Sequence, residues 1–214
     1  MIREDALKIL EELGNSPNMV KHALACGFVM RALCQYLSSR ASASTQPSDL
    51  SSDLSAKAFA SVEALAKGEP FNPDDWEIVG FLHDADYELT NKSLDLHTEE
   101  TTKKLKETGT DQTIIDAIRG HCDKAPRDSL MAKAIYACDE LTGLIVACAL
   151  VQPDKKLQSV KIASVLRKFK DKSFAAGANR DQIKTCEDQL GMDLEPFIKL
   201  TLEAMQEKAG ELGL

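Results

Sequence analysis

Much of the usual apparatus of nucleotide enzymes is missing from this chain. It has no Gly-x-Gly-x-x-Gly turn and no glycine-rich phosphate loop, so dinucleotide and triphosphate cradles of those types are unsupported. No Gly-x-Ser-x-Gly elbow occurs, which removes the serine-nucleophile reading. None of the six cysteines forms a Cys-x-x-Cys pair. They lie mostly inside helical apolar runs, as the buried, reduced thiols of a cytoplasmic protein do. Positive charge is also short: a formal net charge of −8 argues against general nucleic-acid affinity, because an acidic surface repels phosphate backbones. No apolar run approaches the ~20 residues of a membrane span, so no membrane partner is expected. The opening MIREDALKILEELG carries acids at helical spacing where a secretory leader has a basic and then an apolar region.

What remains is a helical chain. At 214 residues with 43% hydrophobic content it is long enough for one domain with a sizeable core. Ile2, Ala6, Ile9, Leu10 and Leu13 have helical spacing, and Gly14-Asn15 stops that run. Pro17 opens a second helix to about Leu37, on which His22, Cys26, Val29 and Leu33 share the buried stripe. Cys26, one turn past His22, is expected to pack there and not to ligate. The stretch SSRASASTQPSDLSSD loses all periodicity, so an exposed, flexible insertion is expected at 38–54. A further helix is expected over Ser55–Lys67. The next begins near Pro73-Asp74-Asp75 and delivers His83 and Asp84. Later helices are expected from His97 with Asp95 as its cap, over Asp111–His121, over Ser129–Val151, over Asn179–Leu190, and from Asp193 onward.

The stretch WEIVGFLHDADYE organises the chain. His83 and Asp84 are adjacent and so point about 100° apart on a helix. They can hold one ion between them only near a helix end. A divalent metal suits that mixture of imidazole and carboxylate. The chain has only four histidines, and His22, His97 and His121 each occupy a position that could face the same centre. Asp86 and Glu88 read equally well as orienters of the imidazoles or as solvated turn residues. In MAKAIYACDELTGLIVACALV, Asp139 shares a face with Ile135, Thr142 and Val146. An unpaired carboxylate there would cost several kcal/mol, so Asp139 needs a cation. After Pro153 the chain turns basic, which reads as a solvated helix face or as a rim that steers an anionic substrate.

The order His22, His83-Asp84, Asp139, all on helices, resembles the HD-domain metal-dependent phosphohydrolases. The phrases HDADYE, YACDELTGLIVACALV and FKDKSFAAGANR resemble small, mostly uncharacterised HD proteins, and the likeness spans nearly the whole chain. The resemblance implies an all-α bundle of roughly eight to ten helices forming a single HD domain over 1–214. It implies a divalent metal, Mn2+, Fe2+, Co2+, Mg2+ or Zn2+, as one ion or two. By position it makes His22, His83, Asp84 and Asp139 metal ligands, with Asp84 bridging two ions in the binuclear branches. His97 and the histidine of Ile118-Arg119-Gly120-His121 match the places that bind the second ion. The His-Asp-Ile-Gly-Lys version of the cyclic dinucleotide phosphodiesterases is here His83-Asp84-Ala85-Asp86-Tyr87, which argues against that activity.

The expected chemistry is hydrolysis of a nucleotide or small phosphorylated metabolite by metal-activated water. Asp84 would orient the water, His121 and His97 would bind a second ion or the phosphate, and Lys92, Arg167 and Lys168 would neutralise substrate charge. The alternatives are a di-iron oxygenase of the same superfamily, a non-catalytic nucleotide or metal sensor, and a helical scaffold with a structural metal.

Overall fold

Asn72 accepts the backbone N–H of Asp74, and Pro73 follows it at the first helical position, so a helix begins there with one of its orphan donors satisfied. Asp111, Ser129 and Asn179 act alike, each accepting an N–H from the first turn of the helix that follows. The computed structural model describes residues 1–43 and 71–214. Among the described residues the elements are α1 (Arg3–Glu12), α2 (Pro17–Ala43), α3 (Pro73–Leu82), α4 (Glu99–Glu107), α5 (Gln112–Gly120), α6 (Leu130–Leu150), α7 (Ile162–Lys170), α8 (Arg180–Leu190), α9 (Leu194–Glu207) and α10 (Ala209–Leu212). A single 3₁₀ turn, Leu157–Ser159, precedes α7, and no strand is present among the described residues. The fold is the all-helical bundle that the periodicity predicts.

Two boundaries differ from the sequence reading. The second helix does not stop at Leu37 but continues through Ala43. Ser38 and Ser39 donate to the carbonyls of Gln35 and Tyr36, and Arg40 donates to the Tyr36 hydroxyl at 2.9 Å, so these side chains bond along the helix wall instead of ending it. The rest of the expected insertion, and the expected helix over Ser55–Lys67, lie outside the described residues. The second difference is that α4 begins at Glu99, with Thr98 at its cap position, so His97 sits in the preceding turn and Asp95 does not cap the helix.

Helix α6 is the hub. Leu130, Ile135, Leu141, Leu144 and Ile145 are fully buried, and α6 packs against α2, α3, α5, α7, α8 and α9. Burying such a side chain contributes roughly 1.5–3 kcal/mol. Against this the surface ion pairs are minor, at about 0–1 kcal/mol each. The closest helix pair is α2 with α3. A Cβ on Gly80 would lie 2.5 Å from the Gly27 Cα, and one on Gly27 would meet the Phe81 ring at 2.2 Å. Glycine at both positions lets the two backbones touch, which brings His22 of α2 beside His83 at the end of α3. The α1–α2 turn is tied to the same place. Asn15 donates to the Ala85 carbonyl at 2.7 Å, and Glu88 accepts the Ser16 N–H at 2.6 Å and its hydroxyl at 2.9 Å. Glu88 is thus a fastener of α2, neither an orienter of an imidazole nor a solvated turn residue.

Candidate metal centre

Helix α3 ends at Leu82, and His83 follows as its cap residue. The backbone turns there, so the neighbouring His83 and Asp84 side chains converge. Two further helices complete one side of the centre. His22 Nε2 lies 3.1 Å from Asp139 Oδ1 and 3.7 Å from Asp84 Oδ2. His83 Nε2 lies 3.4 Å from Asp139 Oδ1 and 3.6 Å from Asp84 Oδ2. On the other side, Asp84 Oδ1 lies 3.0 Å from His97 Nε2 and 3.3 Å from His121 Nε2, and those two nitrogens are 3.0 Å apart. All four histidines and both aspartates singled out in the sequence therefore meet, with Asp84 at the middle and one of its oxygens turned to each group.

The imidazole tautomers follow from their outer partners. The Nδ1 of His83 faces the Gly80 carbonyl at 2.9 Å, that of His121 faces the Ile118 carbonyl, and that of His97 faces Asp86 Oδ1 at 3.0 Å. Carbonyl and carboxylate oxygens only accept, so each of these nitrogens donates. The Thr142 hydroxyl donates to the Asp139 carbonyl at 2.8 Å and so is left to accept from His22 Nδ1 at 3.4 Å. Every inward Nε2 consequently presents a lone pair. His83 Nε2 is fully buried without a hydrogen-bond partner, and the Nε2 atoms of His97 and His121 turn two acceptors on one another. Only a cation, whether a metal ion or a proton, relieves that arrangement. Ligand atoms bonded at about 2.0–2.2 Å to one divalent ion stand roughly 2.8–3.6 Å apart along a tetrahedral or octahedral edge. The observed separations lie in or just above that window, so the residues fit two such ions.

The electrostatics agree. Burial alone would raise the Asp84 carboxyl, but His83, His121 and His97 hold it well below the usual carboxylate range. Asp139 is depressed in the same way, burial being outweighed by His22 and His83. Burial would lower His83, yet Asp84 and the other acidic neighbours push it up to about 10. When no ion is bound, protons occupy the place of the metal. Access is one-sided: the His83, His97 and His121 side chains are 0%, 3% and 5% exposed, whereas those of His22, Asp84 and Asp139 retain 25%, 17% and 18%. Solvent and any substrate reach the centre over those three.

Asp86 lies at the hinge of the second group. It is fully buried, and besides His97 it accepts the backbone N–H of Thr98 at 2.8 Å and of Thr101 at 3.0 Å. One carboxylate thus orients a ligand and caps α4 from outside the helix, the job expected of Asp95. Thr98 has a left-handed φ of 66°, a costly conformation for a β-branched residue, held by this bond. Lys124 adds its Nζ to the carbonyls of Asp95 and His97, both at 2.6 Å. No sequence feature singled out Lys124 or Thr142. Cys26 packs as expected, its sulfur 3.4 Å from the Thr142 hydroxyl, and that sulfur is also within ligand range of His22, His83 and Asp139.

The basic residues are elsewhere. Lys168 lies over the Phe174 ring at 4.2 Å, and Arg167 donates to Ser164 Oγ at 3.5 Å. Lys92 is exposed in the turn after Glu88 with a left-handed φ of 61°. The structure records none of the three in contact with the histidine cluster. A hollow of about 710 Å³ lies away from the centre, beside the buried Glu77 that pairs with Arg31 at 2.9 Å. Among the described residues no helix is long and apolar enough to cross a membrane.

A family model described as HD domain matches residues 19–144, which includes all six of the converging residues. No curated protein and no solved structure matches the chain.

Proposed function

The chain belongs to the HD-domain family, and on that footing we propose that it is a divalent-metal-dependent phosphohydrolase acting on a nucleotide or small phosphorylated metabolite. The observation that carries this reading is Asp84, whose two oxygens each face a separate set of imidazole lone pairs. His22, His83, Asp139 and Asp84 Oδ2 would hold one ion, and His97, His121 and Asp84 Oδ1 a second. Four imidazoles with carboxylates favour Mn2+, Fe2+, Co2+ or Zn2+ over the harder Mg2+. Ions bound there supply Lewis acidity, which acidifies water and withdraws charge from phosphoryl oxygens.

The remaining work falls to the chain. Asp84, partly exposed between the two groups, orients the attacking water with its free lone pairs. His121 and His97 face the same oxygen and would fix the phosphoryl group only by placing the ion that they hold. The water oxygen bonds to phosphorus as the bond from phosphorus to the leaving oxygen breaks. The proton lost by water ends on that oxygen, giving an alcohol and inorganic phosphate. Asp86 keeps His97 in the tautomer that points Nε2 inward.

The test is metal content together with phosphate release from a panel of nucleotides and phosphorylated metabolites, for the wild type and for Asp84→Ala. Two ions per chain with turnover, both lost in Asp84→Ala, are expected. If the metal-loaded protein is silent across the panel, the reading fails. An oxygen-dependent absorption change of the iron form would then identify an oxygenase, and tight binding without turnover a sensor.

A further inference from the structure

Helix α6 carries a glycine in its interior, Gly143, one turn beyond Asp139. Glycine in a helix interior is destabilising because of the backbone freedom it loses, and it is kept where something must approach the backbone closely. No protein group makes that demand here, since a Cβ on Gly143 would meet nothing within 4 Å. Gly27 and Gly80 are different, because neighbouring backbone and ring atoms already fill the space a Cβ would take. What Gly143 borders is a cavity of about 340 Å³ between α2, α6 and α10. The His22 ring is one of its walls, Val146, Leu212 and Leu214 are others, and Lys21 stands at its exposed edge. His22 is thus shared: its Nε2 faces Asp139 at 3.1 Å while its ring borders the cavity.

We propose that this cavity beside His22 is the subsite for the leaving group of the substrate, which is a phosphate monoester of a compact, largely apolar or aromatic alcohol. This rests on the phosphohydrolase reading and sharpens it. The volume lies at the small end of ligand pockets, which run from about 300 to 1,000 Å³. It suits a single ring or a short branched chain. The walls are mainly hydrocarbon, and Lys21 is the only charged side chain besides His22 that borders the cavity among the described residues. A polyphosphate tail would find little there to neutralise it, whereas one apolar group joined to a phosphate at the metal centre matches both regions. Gly143 then sets specificity, because the missing side chain is the room into which the leaving group extends. In the reaction the water oxygen bonds to phosphorus, the phosphorus–oxygen bond to this alcohol breaks, and the alcohol leaves with the proton from water.

The experiment is calorimetric binding of phenylphosphonate and of inorganic phosphate to the Mn2+-loaded protein, for the wild type, Gly143→Trp and Val146→Phe, with melting temperatures for each. Phenylphosphonate cannot be hydrolysed, and it differs from phosphate by the ring that the cavity would receive. It is expected to bind at least tenfold more tightly than inorganic phosphate. Gly143→Trp should remove that advantage while the affinity for inorganic phosphate stays within twofold and the melting temperature does not fall. Val146→Phe narrows the cavity from another wall and should act in the same direction. If inorganic phosphate binds but the phenyl group adds nothing, or both variants weaken the two ligands alike, the subsite is wrong and the phosphohydrolase reading stands. If neither anion binds, that reading fails and the subsite falls with it.

Discussion

His22 and Asp139 approach one side of Asp84 from within α2 and α6, the longest helices described, whereas His97 and His121 approach the other from a turn and a helix end. The first group is held by packing. Its positions follow from the touching backbones at Gly27 and Gly80 and from the apolar faces of α2, α3 and α6. The second is held by hydrogen bonds: Asp86 fixes His97, the Ile118 carbonyl fixes His121, and Lys124 ties down the His97 carbonyl. Packing distributes stability over many atoms, so no single polar substitution should dismantle the first group. A hydrogen-bonded turn concentrates it, and there one carboxylate decides the geometry.

The largest break in this comparison should come from Gly80→Ala. The added methyl collides with backbone that cannot move aside, so about 3 kcal/mol of stability should be lost, or roughly 6–12 °C in melting temperature. Both metal pockets should weaken together, as thermal unfolding and metal titration would record. A variant that melts like the wild type would show that the α2–α3 contact is looser than described.

Asp86→Ala should separate the two groups. It frees His97 Nδ1 and two backbone N–H donors at the start of α4 at once, and loss of such an orienting partner typically costs 10–100-fold in metal affinity. One ion should be retained and the other weakened by about that factor, read as two distinct steps in a calorimetric titration. Equal weakening of both ions would contradict the division proposed for the site.

The smallest effect concerns pH. In the metal-free protein the His83 pKa is raised to about 10, so its stabilising contribution is complete below its unfolded value of about 6.5 and is lost as pH rises toward 10. Asp84 and Asp139 are depressed. Their contributions are present above about 4 and vanish as pH falls further. The metal-free protein should therefore be most stable between about pH 4 and 6.5. Metal must displace these protons, so the rise in melting temperature on adding Mn2+ should be greater at pH 8 than at pH 6. A metal increment independent of pH would mean that the inward nitrogens carry no protons to release.

Much of this centre was legible in the residues. A carboxylate in an apolar helix, Asp139, demands a counter-charge wherever the helix packs, and an adjacent His-Asp pair at a helix end suits a shared ion. Proline and cap residues marked the start of α3, α5, α6 and α8 within a residue or two. The end of α2 was misjudged because a serine-rich stretch lacks periodicity, and yet serine hydroxyls can bond back along a helix. Asp95 was assigned a cap that Asp86 supplies, since a cap donated from a distant turn leaves no trace in local spacing. The cationic residues at 92, 167 and 168 were grouped with the centre on charge alone, and charge carries no information about where in the fold a side chain lies.

The sequence by itself determined the helical class and the need of Asp139 for a cation, because helix periodicity, capping and the cost of a buried charge act over a few residues. The six residues that meet were legible through their resemblance to the HD family's motif. Only the tertiary structure decided that the two oxygens of Asp84 face different histidines, that Asp86 supports the second group and that open space lies beside Gly143. Those features depend on the angle and closeness at which α2, α3 and α6 pack, set by contacts between residues far apart in the chain, for which local spacing carries no signal.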